Sequence, residues 1–348
     1  MDEKNVIIDN LTAKFSKGVS ERLNSGRDLL SLGLGQPNYE VPELVVNETI
    51  EALKKGLSMY APPLGIPELR EAISNNYKTT RGIRVDKNNI LVTPGVRQAI
   101  IISLMCILEP KDEVIIFTPY FTSYPAMIKI ALNDVRIIEY DFHNNSTEID
   151  FDKLEKLIND RTKAIVCNFP HNPTGAILDK LSYEKLSSII LRNSLYVISD
   201  EVYEKIVFEN ENYLLSQNEN FKELLFTVSG FSKSYAMTGW RIGYMVFPEK
   251  FRKLVAKLSL HLNACTNTFI QYGAVRAFDV PQDYLSNNNK QLMSNRNKLI
   301  NLLDKLGITY FHPKSGYFCF VNIDKFKMSS NDFCYLLVKD FGVAVTPG

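Results

Sequence analysis

From residue 90 onward, short runs rich in Ile, Val, Phe and Tyr alternate with longer stretches of helical periodicity. The runs at 90–92, 113–117, 135–140, 163–168, 195–199, 224–229 and 241–247 read as seven strands. Residues 96–108, 121–131 and 182–192 read as helices between them, and 249–278 as a long helical region. Several strand runs are continuously apolar, the pattern of strands covered on both faces. Such strands separated by helices predict an α/β fold, a mainly parallel sheet sandwiched by helices. Ligands of these sheets bind beyond the carboxyl ends of the strands. After residue 278 the polar stretch Ser286-Asn-Asn-Asn289 interrupts the apolar pattern. The remainder, with Ser315-Gly-Tyr-Phe-Cys-Phe-Val-Asn322, reads as a smaller α+β unit.

Composition narrows the function. A net charge of +1 over 348 residues gives no field to attract nucleic acid or acidic membranes. The longest apolar run, 99–108, is broken by Ser103 and falls far short of the roughly 20 residues a membrane span needs. It predicts a buried helix. The acidic, polar start, Met1-Asp-Glu-Lys-Asn5, carries no visible signal peptide. Five cysteines without paired spacing fit reduced thiols in a cytoplasmic protein. The four histidines (His143, His171, His261 and His312) lack metal-ligand spacing, and no metal is expected.

The chemistry-bearing residues fall at the predicted strand ends. Lys233 lies in Ser229-Gly-Phe-Ser-Lys-Ser-Tyr-Ala-Met-Thr-Gly-Trp-Arg-Ile-Gly243. A lysine captures an aldehyde only when its amine is deprotonated, which asks for a desolvated, partly cationic setting. Gly230, Ser232, Ser234, Ala236 and Gly239 leave room for a bulky planar group, and Arg241 supplies a fork suited to phosphate. The whole run reads as a lysine-linked pyridoxal-phosphate site. Asp200 either caps a following helix or pairs with the cofactor's pyridine nitrogen and keeps it protonated, which makes the ring a better electron sink. Glu201, next along, is turned the other way by the strand alternation. Tyr203 either packs or donates to the cofactor's 3-oxygen. Asn172, in Asn168-Phe-Pro-His-Asn-Pro-Thr-Gly175, either shapes a turn or donates to that oxygen or to a substrate carboxylate. Thr93-Pro-Gly-Val-Arg97 opens a helix, and the N–H groups of Gly95, Val96 and Arg97 make it a candidate phosphate site. Phe121 either joins the core or stacks on the pyridine face. Dinucleotide and P-loop readings fail: Gly33-Leu-Gly35 lacks a third glycine, and no glycine-rich loop ends in Gly-Lys-Ser/Thr.

Together these residues resemble the class I (fold type I) pyridoxal-phosphate aminotransferases, most closely the prokaryotic aspartate/aromatic branch. The resemblance runs from about residue 30 to the last residue and carries over Asn172, Asp200, Tyr203, Lys233 and Arg241. Ser31-Leu-Gly-Leu-Gly-Gln-Pro-Asn38 is similar to the family's amino-terminal segment, which implies that the Gly35 N–H serves the substrate carboxylate. Tyr60-Ala-Pro-Pro-Leu-Gly-Ile-Pro-Glu-Leu-Arg70 is similar to Tyr-x-Pro-x-Gly-x-x-x-Leu-Arg. There the tyrosine reaches a neighbouring subunit's phosphate, so Tyr60 implies a homodimer with shared sites. The resemblance further implies an enzyme of amino-acid metabolism and biosynthesis, moving an amino group from an L-amino acid to a 2-oxo acid by a ping-pong cycle. The expected organisation is an N-terminal segment (1–45) joining a small C-terminal domain (279–348), around a large cofactor-binding domain (46–278). Gly230 departs from the family's frequent phosphate-binding serine, and Ser232 is expected to contribute instead. After Thr346-Pro-Gly348 family members continue to an arginine for the substrate α-carboxylate, so this sequence is expected to be a truncated chain. A carbon–sulfur lyase, a cyclisation or an oxidation would use the same cofactor residues. A non-catalytic relative is the remaining alternative.

Overall fold

Seven strands form one sheet in the order β2-β8-β7-β6-β5-β3-β4. They are β2 (Ile90–Thr93), β3 (Glu113–Thr118), β4 (Arg136–Asp141), β5 (Thr162–Asn168), β6 (Tyr196–Asp200), β7 (Leu225–Gly230) and β8 (Gly243–Val246). Neighbours pair in parallel except at β8, which runs antiparallel to both β2 and β7. The carboxyl ends of the other six strands and the amino end of β8 therefore share one edge. A separate two-stranded sheet pairs β1 (Leu30–Ser31) with β9 (Val343–Ala344) in parallel. The computed structural model describes residues 13–33, 35–142, 148–209 and 211–348. His143 lies outside the described residues.

Side-chain alternation explains the layers. Val114 and Ile116 of β3 point to one face, Ile115 and Phe117 to the other, and all four are at most 2% exposed. On the first face α4 (Val96–Ile107), α5 (Tyr124–Ala131) and α8 (Arg252–Asn263) pack Ile100, Leu104, Met127 and Val255 against Val166, Ile198, Val228 and Met245. On the opposite face α6 (Phe151–Lys156) and α7 (Lys180–Arg192) cover β3, β5 and β6. There α2 (Glu43–Lys54), α3 (Pro67–Arg81) and α9 (Thr268–Arg276) cover β2 and β8. Burying each such aliphatic side chain contributes roughly 1.5–3 kcal/mol. Truncating Ile116 to Ala would cost about 2–5 kcal/mol.

The expected α/β architecture and its seven strands are present, with boundaries within two residues. The last strand begins at Gly243 instead of 241 because Arg241 adopts a left-handed backbone, φ +53°. Two helix expectations are corrected. The long region 249–278 is two helices, α8 and α9, parted at Ala264 (φ +59°), where the chain leaves the helix and the Thr266 hydroxyl donates to the Val92 carbonyl at 3.1 Å. Ser286–Asn289 does not break the pattern but lies inside α10 (Gln282–Lys305). Asparagine is only a weak helix breaker, and Asn289 is held there by donating to the Lys205 carbonyl at 2.8 Å. Outside the large sheet, α1 (Ala13–Asn24) lies against α11 (Ser330–Leu336).

Candidate active site

Lys233 sits in the turn that links β7 to β8, at the shared edge of the sheet. Its side chain is half-buried, and Nζ donates to the carbonyl of Gly35. Burial pushes the amine below the usual lysine range; Asp200 pulls the other way, while Arg241 and Arg97 add to the fall. This setting shifts the balance toward the uncharged, nucleophilic amine.

Asp200 ends β6 and is 4% exposed. It accepts from the Tyr124 hydroxyl at 2.8 Å and from the Val202 N–H at 3.3 Å, with no cation among the described residues in hydrogen-bond contact. Burial raises its pKa to about 6, and those two bonds resist the rise. A buried carboxylate without a cationic partner is costly, and a protonated ring nitrogen would complete it. Asn168, paired with Asp200 across β5 and β6, donates its amide to the Asp200 carbonyl at 2.9 Å and accepts the Asn172 N–H at 2.9 Å. That links the Asp200 strand end to the Asn172 loop. The Asn172 amide reaches the buried Tyr203 hydroxyl at 3.5 Å. Burial and the nearby Asp200 push the Tyr203 phenol well up, so it remains a donor.

The opposite side of the opening is basic. Gly95 (φ +89°) turns β2 into α4, and a Cβ there would collide with the Arg241 guanidinium. The left-handed backbone of Arg241 folds this side chain back over the turn, where it donates to the carbonyls of Thr238 (3.0 Å) and Pro94 (3.5 Å). Arg97 lies over the Phe121 ring at 5.2 Å, and Phe121 meets Tyr124 edge-on at 5.5 Å. Among the described residues neither arginine has an acidic partner. The Gly95 N–H is bonded to the Thr93 carbonyl at 2.7 Å, so of the three expected donors those of Val96 and Arg97 are left without an intrahelical partner. Ser232 is half-buried beside Lys233. These groups fit a phosphate.

One sequence expectation needs amendment. Gly230 does not open space for a planar ligand: a Cβ there would lie 3.0 Å from the Gly243 Cα and 3.2 Å from Val96 Cγ2. Its bareness lets the first turn of α4 sit down on β7 and β8. Tyr60, expected to serve a second subunit's phosphate, stands away from this chain's own cluster and is 88% exposed. Gly35 is required by closeness, since a Cβ would sit 2.6 Å from Phe318 Cζ. Sequence reasoning passed over Tyr124, Asn168, Tyr39 and Tyr317. Tyr124 stands three residues after Phe121, and Asn168 begins the quoted Asn-Pro loop, so both carried local signals. Tyr39 and Tyr317 carried none.

The chain matches the family model for aminotransferase class I and II over residues 27–348. It belongs to that family. It is 35% identical over 325 residues to aromatic-amino-acid aminotransferase 2 of Thermococcus litoralis, covering 92% of this chain and 83% of the relative. It is 34% identical over 329 residues to an aspartate aminotransferase of Thermotoga maritima, covering 94% and 85%. A mutant Thermus thermophilus aspartate aminotransferase superposes with a TM-score of 0.93 at 30% identity, covering all of this chain and 91% of that one. The protein is thus a fold type I aminotransferase of the aspartate/aromatic branch that uses pyridoxal phosphate to move amino groups.

Proposed function

We propose that the strand-end cluster around Lys233 is where the cofactor is held and where an amino group passes from an L-amino acid to a 2-oxo acid in a ping-pong cycle. One observation carries this: an amine of lowered basicity stands between a buried carboxylate lacking a cation and two guanidinium groups lacking an acid. When bound, pyridoxal phosphate supplies an aldehyde that captures amino groups and a ring that draws electrons from the substrate α-carbon. Asp200 would hold a proton on the ring nitrogen, and Tyr124 and Asn168 hold Asp200 in place. Tyr203 and Asn172 would donate to the 3-oxygen, and Phe121 would offer its ring to the cofactor. Arg241, Ser232 and the N–H groups of Val96 and Arg97 grip the phosphate, with Gly95 allowing the close approach. The Gly35 N–H and the Asn172 amide receive the substrate carboxylate. Lys233 Nζ would be the base that takes the proton from the substrate α-carbon and delivers it to the cofactor's aldehyde-derived carbon, the reverse transfer serving the 2-oxo acid.

The three-part division at residues 45 and 278 is likewise proposed, supported by β1 pairing with β9 and α1 lying on α11. We also propose a homodimer. Met59 (79% exposed) and Tyr60 (88%) sit on a loop tied to α8 by Ser259 and to α9 by Thr268. Leu53 of α2 and Leu260 and Leu262 of α8 are exposed nearby. A surface this apolar is characteristic of an interface, and it offers Tyr60 to a second copy's phosphate. Five free thiols support a cytoplasmic setting, and amino-group transfer suits amino-acid biosynthesis.

Reduction with borohydride should fix the cofactor on Lys233, read by peptide mass. Lys233→Ala should lose turnover on the order of 10⁴-fold while keeping phosphate-dependent cofactor binding. Turnover near the parent level, or an adduct on a different lysine, would end the assignment.

A further inference from the structure

The backbone of Lys233 is held as deliberately as its amine. Its carbonyl oxygen accepts from the Tyr39 hydroxyl at 2.6 Å and from the Tyr317 hydroxyl at 2.9 Å. No backbone N–H among the described residues donates to it. The two phenol oxygens also touch each other. Tyr39 comes from the segment after β1, and Tyr317 from the stretch between α10 and α11; both lie outside the seven-stranded sheet. Each ring is seated separately. Tyr39 meets Tyr284 of α10 edge-on at 5.9 Å, while Tyr317 meets Tyr203 at 6.0 Å. Tyr284 then returns to the Tyr39 segment, donating to the Glu40 carbonyl at 2.7 Å. The same segment supplies the Gly35 carbonyl that receives Nζ.

We propose that Tyr39 and Tyr317 are paired positioning residues, a phenol clasp that fixes the Lys233 backbone and couples the direction of Nζ to the seating of residues 35–40 and 315–318. The proposal rests on the reading of Lys233 given above. Three oxygen–oxygen contacts share only two phenolic protons. Removing one hydroxyl leaves the other free to serve the carbonyl. Removing both leaves that carbonyl without a donor, and the lysine turn must shift to find one. The clasp therefore predicts strong non-additivity.

The test uses Tyr39→Phe, Tyr317→Phe and the double variant, all of which keep both rings. In cofactor-free protein, the pH dependence of Lys233 labelling by an amine-reactive reagent is read by peptide mapping. In loaded protein, cofactor affinity and the pH titration of its absorbance are read together with kcat and KM. Each single variant should change cofactor affinity by less than about threefold, and the double variant by about tenfold or more. The Lys233 labelling profile should move in the double variant alone, with kcat falling more than KM rises. A folded double variant with the parent labelling profile, or effects that simply add, overturns the clasp. Should the double variant not fold, the carbonyl carbon resonance of Lys233 in the single variants decides. The chain has two Lys-Ser pairs, Lys233-Ser234 and Lys314-Ser315, so selective labelling leaves two signals, and a Lys314→Arg variant assigns the Lys233 one. It should move in both single variants, and an unmoved resonance overturns the clasp. Borohydride fixation in the parent separates the two claims: without an adduct on Lys233 the site reading fails, whatever the phenols do.

Discussion

Asp200 and Glu201 are neighbours on the chain, 4% and 0% exposed, yet they face different surroundings at the end of β6. Glu201 is fully partnered within the protein. It pairs with Arg81 at 2.7 Å and accepts from the hydroxyls of Ser199 and Ser216, each at 2.8 Å, and from the Ser216 N–H at 3.2 Å. Arg81, at the end of α3, also pairs with Glu204 and lies over the Tyr77 ring at 4.1 Å. Asp200 has a phenol and one amide, and faces Lys233 across the opening without touching a cation. Burial alone does not distinguish a working acid from a structural one. What distinguishes them is whether the chain supplies the counter-charge itself or leaves it to something that binds.

The comparison breaks first under substitution. Asp200→Asn should lower kcat on the order of 10³-fold, because an amide cannot hold the ring proton, while folding remains intact. Glu201→Gln should do the reverse. It leaves the Arg81 side chain, 3% exposed, facing a lost charge, and should destabilise the fold by about 3 kcal/mol. Folded molecules should keep kcat within a few-fold. Denaturant titration and steady-state kinetics on both variants separate the two roles, and a catalytic collapse in folded Glu201→Gln would contradict the division.

A pH series sharpens it. In cofactor-free protein burial raises the Asp200 pKa to about 6, above the usual carboxylate range near 4. A carboxyl whose folded pKa is raised adds stability below its unfolded pKa and loses that stability as pH climbs through its folded one. Cofactor-free protein should therefore weaken between about pH 4 and pH 6, by up to about 3 kcal/mol from this group. Asp200→Asn should remove that slope and be the more stable form above pH 6. Adding cofactor to the parent should cancel the loss, since the ring then supplies the missing cation. An Asn variant with an unchanged slope would show that Asp200 is not the group responsible.

How far the sequence disclosed all this depended on the range of the interactions. Gly95, Asn172, Asp200, Lys233 and Arg241 lie at strand ends, so a pattern of apolar runs and turn residues was enough to bring them to one edge. The counter-running β8 was harder to foresee, yet it is the reason Arg241, at an amino end, joins the others. Helices α1–α3 precede the alternation that begins at residue 90 and were not anticipated, although Pro67 starts α3 and Gly82 (φ +72°) follows its end. Tyr39 and Tyr317 are 278 residues apart and meet only because the chain's two ends fold back onto the sheet. No local window contains that contact. Nor did spacing reveal why Gly230 is bare, because its neighbours Gly243 and Val96 belong to other elements.

Gly230 offers the smallest and most discriminating test. Family members often carry a phosphate-binding serine at this position, so Gly230→Ser looks like a restoration. Here the serine Cβ would meet the Gly243 Cα at 3.0 Å, the Ile242 carbonyl at 3.2 Å and Val96 Cγ2 at 3.2 Å. Backbone on the paired strand cannot yield as a side-chain tip can, so the variant should lose about 1–2 kcal/mol of stability. The displaced element is the first turn of α4, whose Val96 and Arg97 N–H groups are the proposed phosphate donors. Cofactor affinity should therefore fall a few-fold even though a hydroxyl has been added near the phosphate. Thermal unfolding with and without pyridoxal phosphate reads both effects. Tighter cofactor binding in Gly230→Ser would mean that α4 can rise without losing the phosphate, and that Ser232 has not taken over the missing hydroxyl's place.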